Sequence, residues 1–344
     1  MMEKKIGIIG VDGEGARFAT GQAVKCRTLR KWFIGAYGED QVLFANIDSA
    51  KKHPFRVLGN MMKALKNCVN IIFMPGQNTE IFCPAILALN RLHHRHIHYI
   101  VTGGDLAEVI KRRPSLGKQI AQFDGVYVQS VKLRDELRAM GIPKAQYLPN
   151  CRDYIEAPEK HLSDAPPLPV CTYSRVTESK GIADAAAICR RANAILGRDA
   201  FRLEVYGNIA PEYRADFETL CVKEAAVMRY CGVKNADEAV ETLSGQFALL
   251  FPTYYEGECF AGTVLDAFLS RTPIIANDWK YNGEVIRDGE NGFLYPFRDT
   301  DAAAQKLAAL YRDQALYKRI QEGCAQSARE YDSDRVLEVL AEKL

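Results

Sequence analysis

The chain has 344 residues, with 45 Lys and Arg against 43 Asp and Glu, a net charge of +2 and 48% hydrophobic residues. That length accommodates two domains with cores of their own, and no run of eighteen apolar residues offers a helix that could span a bilayer. The balance hides an asymmetry: residues 1–150 carry 22 basic and 12 acidic residues, the remainder 23 and 31. The basic first half is expected either to meet something anionic (a membrane surface, a lipid pyrophosphate or nucleic acid) or simply to attract the acidic second half. Ten scattered cysteines without a C-x-x-C pair read as free thiols of a reducing compartment. The start MMEKKIGIIGVDGEG passes straight into a strand, which argues against a secretory signal and for a cytoplasmic location, at the inner face of a membrane if the basic half binds lipid.

Lys5 to Val11 reads as a first strand, followed by a loop with Gly13, Gly15 and Gly21 and an amphipathic helix led by Gln22. Strand, glycine loop and helix make a cradle for phosphate. As a dinucleotide fingerprint it fails, because Phe18 stands where a third Gly or Ala is wanted and Asp48 lies too far along the chain. Strands near 41–47, 69–75, 97–102, 125–129 and 145–148 then alternate with helices near 56–67, 84–92, 105–112, 116–122 and 131–140, the pattern of a doubly wound parallel sheet. Gly103, Gly104 and Asp105 fall at a strand's carboxyl edge, where Asp105 could contact a ligand or cap a helix. His93, His94, His96 and His98 have no acidic or Cys partner at ligand spacing, so no metal site is expected. Lys111, Arg112 and Arg113 form a basic turn that suits acceptor phosphates or solvent.

The Pro-rich stretch 156–169 reads as a linker between a domain of residues 1–155 and one of residues 170–328, with a final helix in 329–344. The second domain opens with a strand at Val170–Tyr173. Arg175 and Lys180 follow on a loop before a helix at Ile182–Ala194, two cations suited to a diphosphate. A strand at 201–208 carries Gly207 at its edge; a helix at 211–223, a strand at 226–231, a short helix at 235–243 and a strand at 247–251 come next. The chain then reads FPTYYEGECFAGTVLDAFLSRTPIIANDWKYNGEVIRDGENGFLYP, a strand, a loop, a helix start and a second buried strand at Pro273–Ala276. Glu256, Gly257, Glu258, Ala261, Gly262 and Thr263 stand where backbone N–H groups favour an anion and carboxylates accept bonds from sugar hydroxyls. Helices at 299–312 and 314–328 precede the last one.

Glu258 and Asp266, seven positions apart between them and flanked by Gly and an aromatic residue, resemble the donor-site signature of family-4 retaining glycosyltransferases. Asp266 stands where that family more often has Glu, and Cys259 where it often has Gly. Gly21, Gln22 and Lys25 are similar to the family's glycine loop, and Arg175 and Lys180 to its diphosphate-binding pair. The resemblance implies the GT-B fold, two Rossmann-like doubly wound parallel-sheet domains facing across a cleft. It further implies a nucleotide-diphosphate sugar, UDP- or GDP-linked, on the second domain. There Arg175 and Lys180 would hold the diphosphate, Glu258 would lie near the donor sugar and Asp266 on the ribose. Gly207, Gly257, Phe260, Ala261, Gly262 and Thr263 would line the same place, and Asp105 would stand near the reacting centre. Retention of configuration without metal or cofactor, and a last helix packed on the first domain, come from the resemblance alone. The stretch looks like enzymes of capsular or exopolysaccharide assembly, so the acceptor is expected to be a saccharide, often lipid-linked, and not nucleic acid. A nucleotide-sugar epimerase would share fold and donor site; an NAD-dependent oxidoreductase or a non-enzymatic binding protein is the remaining alternative.

Overall fold

The computed structural model describes residues 4–13, 20–48, 50, 52–158 and 165–344. Its contacts divide the chain into residues 1–153 with 332–344, and residues 154–331. The expected element at Gly15 lies outside the described residues.

The first unit is built on a six-stranded parallel sheet of β1 (Lys4–Gly10), β2 (Val42–Asn46), β3 (Cys68–Phe73), β4 (His96–Ile100), β5 (Gly125–Val128) and β6 (Ala145–Tyr147), in the order β2-β1-β3-β4-β5-β6. β1 and β3 are buried along nearly their whole length, as central parallel strands must be when helices cover both faces. The helix at Ser333–Ala341 belongs to this unit: Val336, Leu337 and Leu340 join Ile6, Ile8, Leu29 and Phe33 in one core cluster. Polar contacts fix its start. Trp32 Nε1 donates to Asp334 Oδ1 at 2.8 Å, Ser333 N to the Arg152 carbonyl at 2.8 Å, and Ser333 Oγ to Asp153 Oδ1 at 2.6 Å.

The second unit repeats the principle with β7 (Leu168–Tyr173), β8 (Phe201–Tyr206), β9 (Met228–Gly232), β10 (Ala248–Phe251), β11 (Ile274–Asn277) and β12 (Phe293–Tyr295), all parallel, in the order β12-β11-β10-β7-β8-β9. From β7 the chain builds outward through β8 and β9, then returns to the other side of β7 for β10, β11 and β12. The two connections therefore diverge between β7 and β10, the switch point at which such sheets open a crevice beyond the strands' carboxyl ends. In the first sheet the corresponding divergence lies between β1 and β3.

Three expectations need correction. The helix placed at 84–92 starts five residues earlier, at Thr79–Asn90, with Pro84 inside it. Pro84 has no N–H to offer the Glu80 carbonyl, a loss confined to one bond near the helix start. Leu168 and Pro169, read as linker, are the first residues of β7, and Pro169 takes its place in register with Arg202. Finally, Phe293–Tyr295 is a sheet strand and Asn282–Val285 a helical turn, where the sequence had indicated only a turn at Asp288–Gly292.

Candidate active site

Two loops leave the carboxyl ends of β7 and β10 side by side. The first makes a short 3-10 turn over Glu178–Lys180 and ends at Gly181, whose φ of +69° favours glycine and whose missing Cβ leaves room for the Pro252 carbonyl. Because the loops touch there, Tyr254 N can donate to the Ser179 carbonyl at 2.8 Å. The Lys180 ammonium then reaches Glu258 Oε2, to which Thr253 Oγ1 also donates at 2.9 Å. Lys180 and Glu258 keep only 16% and 10% of their side-chain surface, so this ion pair is largely shielded from water. The ring of Tyr255 lies 5.0 Å from the Lys180 ammonium, and Gly257 has no side chain because a Cβ would strike that ring at 2.7 Å.

The last residue of β11 and those that follow it hold the second loop in this shape. Asn277 Nδ2 donates to the Thr253 carbonyl at 3.2 Å, Trp279 Nε1 to the Tyr255 carbonyl at 3.1 Å and Lys280 Nζ to the Glu256 carbonyl at 2.6 Å. Lys280 also pairs with the Glu256 carboxylate at 2.7 Å. The two neighbouring acids are thereby separated: Glu256 is turned to the exposed rim, Glu258 inward.

The loop runs on into the helix Gly262–Leu269. Ala261 stands at its N-cap and offers no side-chain acceptor, and the Thr263 hydroxyl is buried without a hydrogen-bond partner among the described residues. The uncapped first turn of such a helix attracts anions. Asp266, one turn further, is buried. Burial, and then the charges of Asp266 and Glu238, push the Tyr173 phenol well above its usual range. Tyr173 donates to the Asn235 carbonyl at 3.2 Å, and its ring lies against Tyr206 at 5.8 Å. Tyr206 is anchored from below: its hydroxyl donates to Glu204 at 2.5 Å, and Gln246 Nε2 at 3.0 Å and Arg229 donate to the same carboxylate. Burial works to raise the Glu204 pKa, but these three donors hold it below the ordinary value. Beside Tyr206 a cavity of about 470 Å³ opens between Lys234, Asp237, Glu238, Glu241 and Thr242.

Of the residues singled out in the sequence, the fold thus gathers Lys180, Gly257, Glu258, Ala261, Gly262, Thr263 and Asp266 around one switch point. Gly207 stands at the adjoining end of β8, at φ +144°, where a Cβ would collide with the Ser174 carbonyl. Arg175 is turned outward into an exposed ion pair with Glu212 at 3.2 Å. Phe260 is a core residue, packed edge-on against Tyr331 at 4.7 Å, so its ring supports the loop from beneath. In the first unit Gly13 takes φ +67°, and Gln22 Nε2 donates to the Met74 carbonyl at 3.1 Å, bridging the elements that follow β1 and β3. Asp105 precedes the helix Leu106–Arg112, but its carboxylate accepts no capping bond. His98 sits inside the sheet's cover, with Nδ1 3.1 Å from Tyr127 Oη, and His96 lies 3.5 Å from Asp124.

The sequence of the second unit matches the family model for glycosyl transferases group 1 over residues 153–327, slightly more than half of the chain. The chain belongs to that family. Among curated proteins it is 27% identical to the amylovoran biosynthesis glycosyltransferase AmsK of Erwinia amylovora, over 88% of this chain and 75% of that one. It is likewise 27% identical to the putative glycosyltransferase EpsD of Bacillus subtilis, over 42% of this chain and 36% of that one. A shorter match, 38% identical, joins it to the phosphatidyl-myo-inositol mannosyltransferase of Mycobacterium leprae over 22% of this chain and 20% of that one. The chain thus spans about a third of the Bacillus subtilis relative's length and about a fifth of the Mycobacterium leprae relative's. Among solved structures, sucrose-phosphate synthase of Thermosynechococcus elongatus superimposes with a TM-score of 0.77 at 15% identity, covering 99% of this chain and 98% of that one. HepE of Anabaena, solved with UDP and glucose, does so at 0.71 and 14%, covering 99% of both. These likenesses establish the GT-B fold that the resemblance implied, and with the family match they bear out the resemblance to exopolysaccharide glycosyltransferases.

Proposed function

We propose that this chain transfers a sugar from a nucleoside-diphosphate sugar to a saccharide acceptor, free or lipid-linked, in the assembly of a surface polysaccharide, with retention of configuration. The observation that carries the reading is the Lys180–Glu258 pair, set beside the uncapped helix start at Gly262 and one turn from Asp266. A diphosphate needs cations and N–H donors, and a ribose needs a carboxylate acceptor. Both stand together at the switch point of this sheet. UDP is the base-bearing part we assign, because HepE and the pneumococcal O-GlcNAc transferase GtfA were both solved with UDP.

Breaking the bond between the sugar's anomeric carbon and the diphosphate oxygen leaves negative charge on the departing phosphate. Lys180 and the N–H groups of Gly262 and Thr263 are fixed before that charge develops, so they stabilise the transition state without reorganising. The Thr263 hydroxyl, buried with no hydrogen-bond partner among the described residues, supplies one more donor. Glu258 neutralises Lys180 while the site is empty and faces the donor sugar when the diphosphate takes Lys180. The acceptor is assigned to the basic first unit, where a cavity of about 320 Å³ is lined by Asp12, Arg30, Asn46, Asn60 and Lys63.

Thermal denaturation with UDP, GDP, their sugar conjugates and NAD, with and without magnesium, tests the donor half of the proposal. A bound ligand raises the melting temperature by mass action. A shift with one nucleoside diphosphate that is abolished by Lys180→Ala supports it; a shift with NAD alone, or none at all, overturns it.

A further inference from the structure

β11 and β12 are adjacent parallel strands whose last register pair is Asn277 with Tyr295, and two residues beyond that pair each chain segment carries a large aromatic side chain, Trp279 and Phe297. The two rings stack at 5.0 Å with 26° between their planes. They stand at the carboxyl edge of the sheet, beside the strand β10 from which the loop of Glu258 leaves. Phe297 is nevertheless 52% exposed and Trp279 only half-buried. The indole N–H is already committed to the Tyr255 carbonyl, so the surface that the rings offer to solvent is apolar. The backbone is strained where it presents them: Lys280, directly after Trp279, takes φ +47°, and Arg298, directly after Phe297, takes φ +57°. Such strain persists where the surroundings over-determine it. Buried Asn277 does so here, its Nδ2 donating to the Thr253 carbonyl and its Oδ1 accepting from Arg298 N at 3.1 Å, which ties the turn of Phe297 to the loop of Glu258. Asp278, next to Trp279, is exposed, and its carboxylate accepts no hydrogen bond and forms no ion pair among the described residues.

We infer that the Trp279–Phe297 stack is a saccharide-binding surface, which takes the flat C–H face of a pyranose on its aromatic rings and neighbouring hydroxyls of the same sugar on the Asp278 carboxylate. A pyranose is amphipathic in this way: C–H bonds line its faces and hydroxyls its rim. A rigid aromatic surface with one carboxylate beside it matches both parts, since the rings bury the apolar face and an ionised carboxylate accepts two hydroxyls at once. An apolar protein groove would cover Phe297 but would strip water from Asp278 without giving it a donor. The inference rests on the proposed function only in reading the bound saccharide as part of the acceptor, a sugar unit held by the second unit on the same edge of the sheet as the donor loop.

The chain has two tryptophans, Trp32 in the first unit and Trp279, so fluorine NMR of the whole chain labelled with 5-fluorotryptophan gives one signal for each, assigned with Trp279→Phe. Cellohexaose is the probe, because its rings carry every hydroxyl equatorially and bare C–H bonds on both faces; acyclic sorbitol is the control. Cellohexaose should move the Trp279 signal saturably and leave that of Trp32 in place, and sorbitol should move neither. Phe297→Ala should weaken the binding about two- to tenfold, Phe297→Tyr should restore it, and Asp278→Asn should weaken it about fivefold, an amide being the poorer acceptor. Both side chains are exposed, and the thermal shift with UDP should be the same in these variants as in the unaltered chain, which shows that fold and donor site are intact. No saturable response to cellohexaose, an equal response to sorbitol, or binding undiminished by Phe297→Ala would overturn the inference. So would self-association that Phe297→Ala abolishes in a chain indifferent to cellohexaose, which would give this face to a second copy. Failure of the UDP shift in the unaltered chain would instead refute the donor site and leave the saccharide result standing.

Discussion

Replacing Glu258 by Gln and Lys180 by Met should move ligand affinity in opposite directions. In the empty site Lys180 is already satisfied by Glu258, with Thr253 completing the carboxylate's shell. An incoming diphosphate must therefore compete with a carboxylate for its cation. Pairs at the surface contribute ~0.2–1 kcal/mol, whereas removing one partner of a fully buried pair costs 3–5 kcal/mol; with 16% and 10% of the side chains exposed, about 2 kcal/mol is a fair figure here. Lys180→Met leaves a buried carboxylate with one donor, so it should lower unfolding free energy by about 2 kcal/mol and weaken UDP by a factor of ten or more. Glu258→Gln keeps the shape and an acceptor for Thr253 while freeing Lys180, which is exposed enough to recruit water; stability should fall by no more than about 1 kcal/mol. UDP should then bind up to tenfold more tightly, even though turnover of the sugar donor collapses. Urea unfolding and calorimetric titration with UDP measure both quantities. If Glu258→Gln weakens UDP as much as Lys180→Met does, the two side chains do not compete with the diphosphate and the proposed role of the pair is wrong.

Gly207→Ala should destabilise the second unit by about 2 kcal/mol or more, because a side chain at φ +144° is strained and its Cβ meets the Ser174 carbonyl; an unchanged denaturation midpoint would contradict this. Arg175→Ala should cost less than about 1 kcal/mol of stability, its partner Glu212 being exposed, yet should weaken UDP several-fold if the guanidinium swings to the diphosphate; unaltered affinity would confine Arg175 to its surface pair. Burial lowers the His98 pKa to about 4, with Asp124 opposing the effect, against about 6.5 for an unperturbed imidazole. The unfolded chain then takes up a proton that the folded one refuses, so stability present above about pH 6.5 should decline towards pH 4, by up to about 3 kcal/mol. His98→Asn should flatten that part of the pH profile in urea unfolding, and an identical slope in the variant would exclude His98 as its source.

Alternation of apolar runs with 3.6-period segments placed eleven of the twelve strands, because a parallel strand buried on both faces leaves an uninterrupted apolar signature. β12 escaped: Phe293–Tyr295 is three residues long and follows directly on the turn of Gly289 and Gly292, too short for any period to show. The acid pair and Lys180 were legible as candidates through the family resemblance, whose motifs set their spacing. Thr253, Tyr173 and Glu204 were not, for their importance lies in what they touch across the sheet, and nothing in the local sequence of a strand end reveals its neighbour. Phe260 stands in the motif yet turns into the core, and Arg175, whose spacing from Lys180 fits a diphosphate, rests its side chain on Glu212.

The return of residues 332–344 to the first unit has a bearing on how the chain comes into being. Ribosomal synthesis ordinarily lets the leading domain fold before its successor appears. Here the unit that starts first finishes last: Val336, Leu337 and Leu340 are made only after residues 154–331 have been made, and until then the surface formed by Ile6, Ile8, Leu29 and Phe33 lacks them. The contiguous second unit has its whole chain made while the basic first unit still waits for its closing helix.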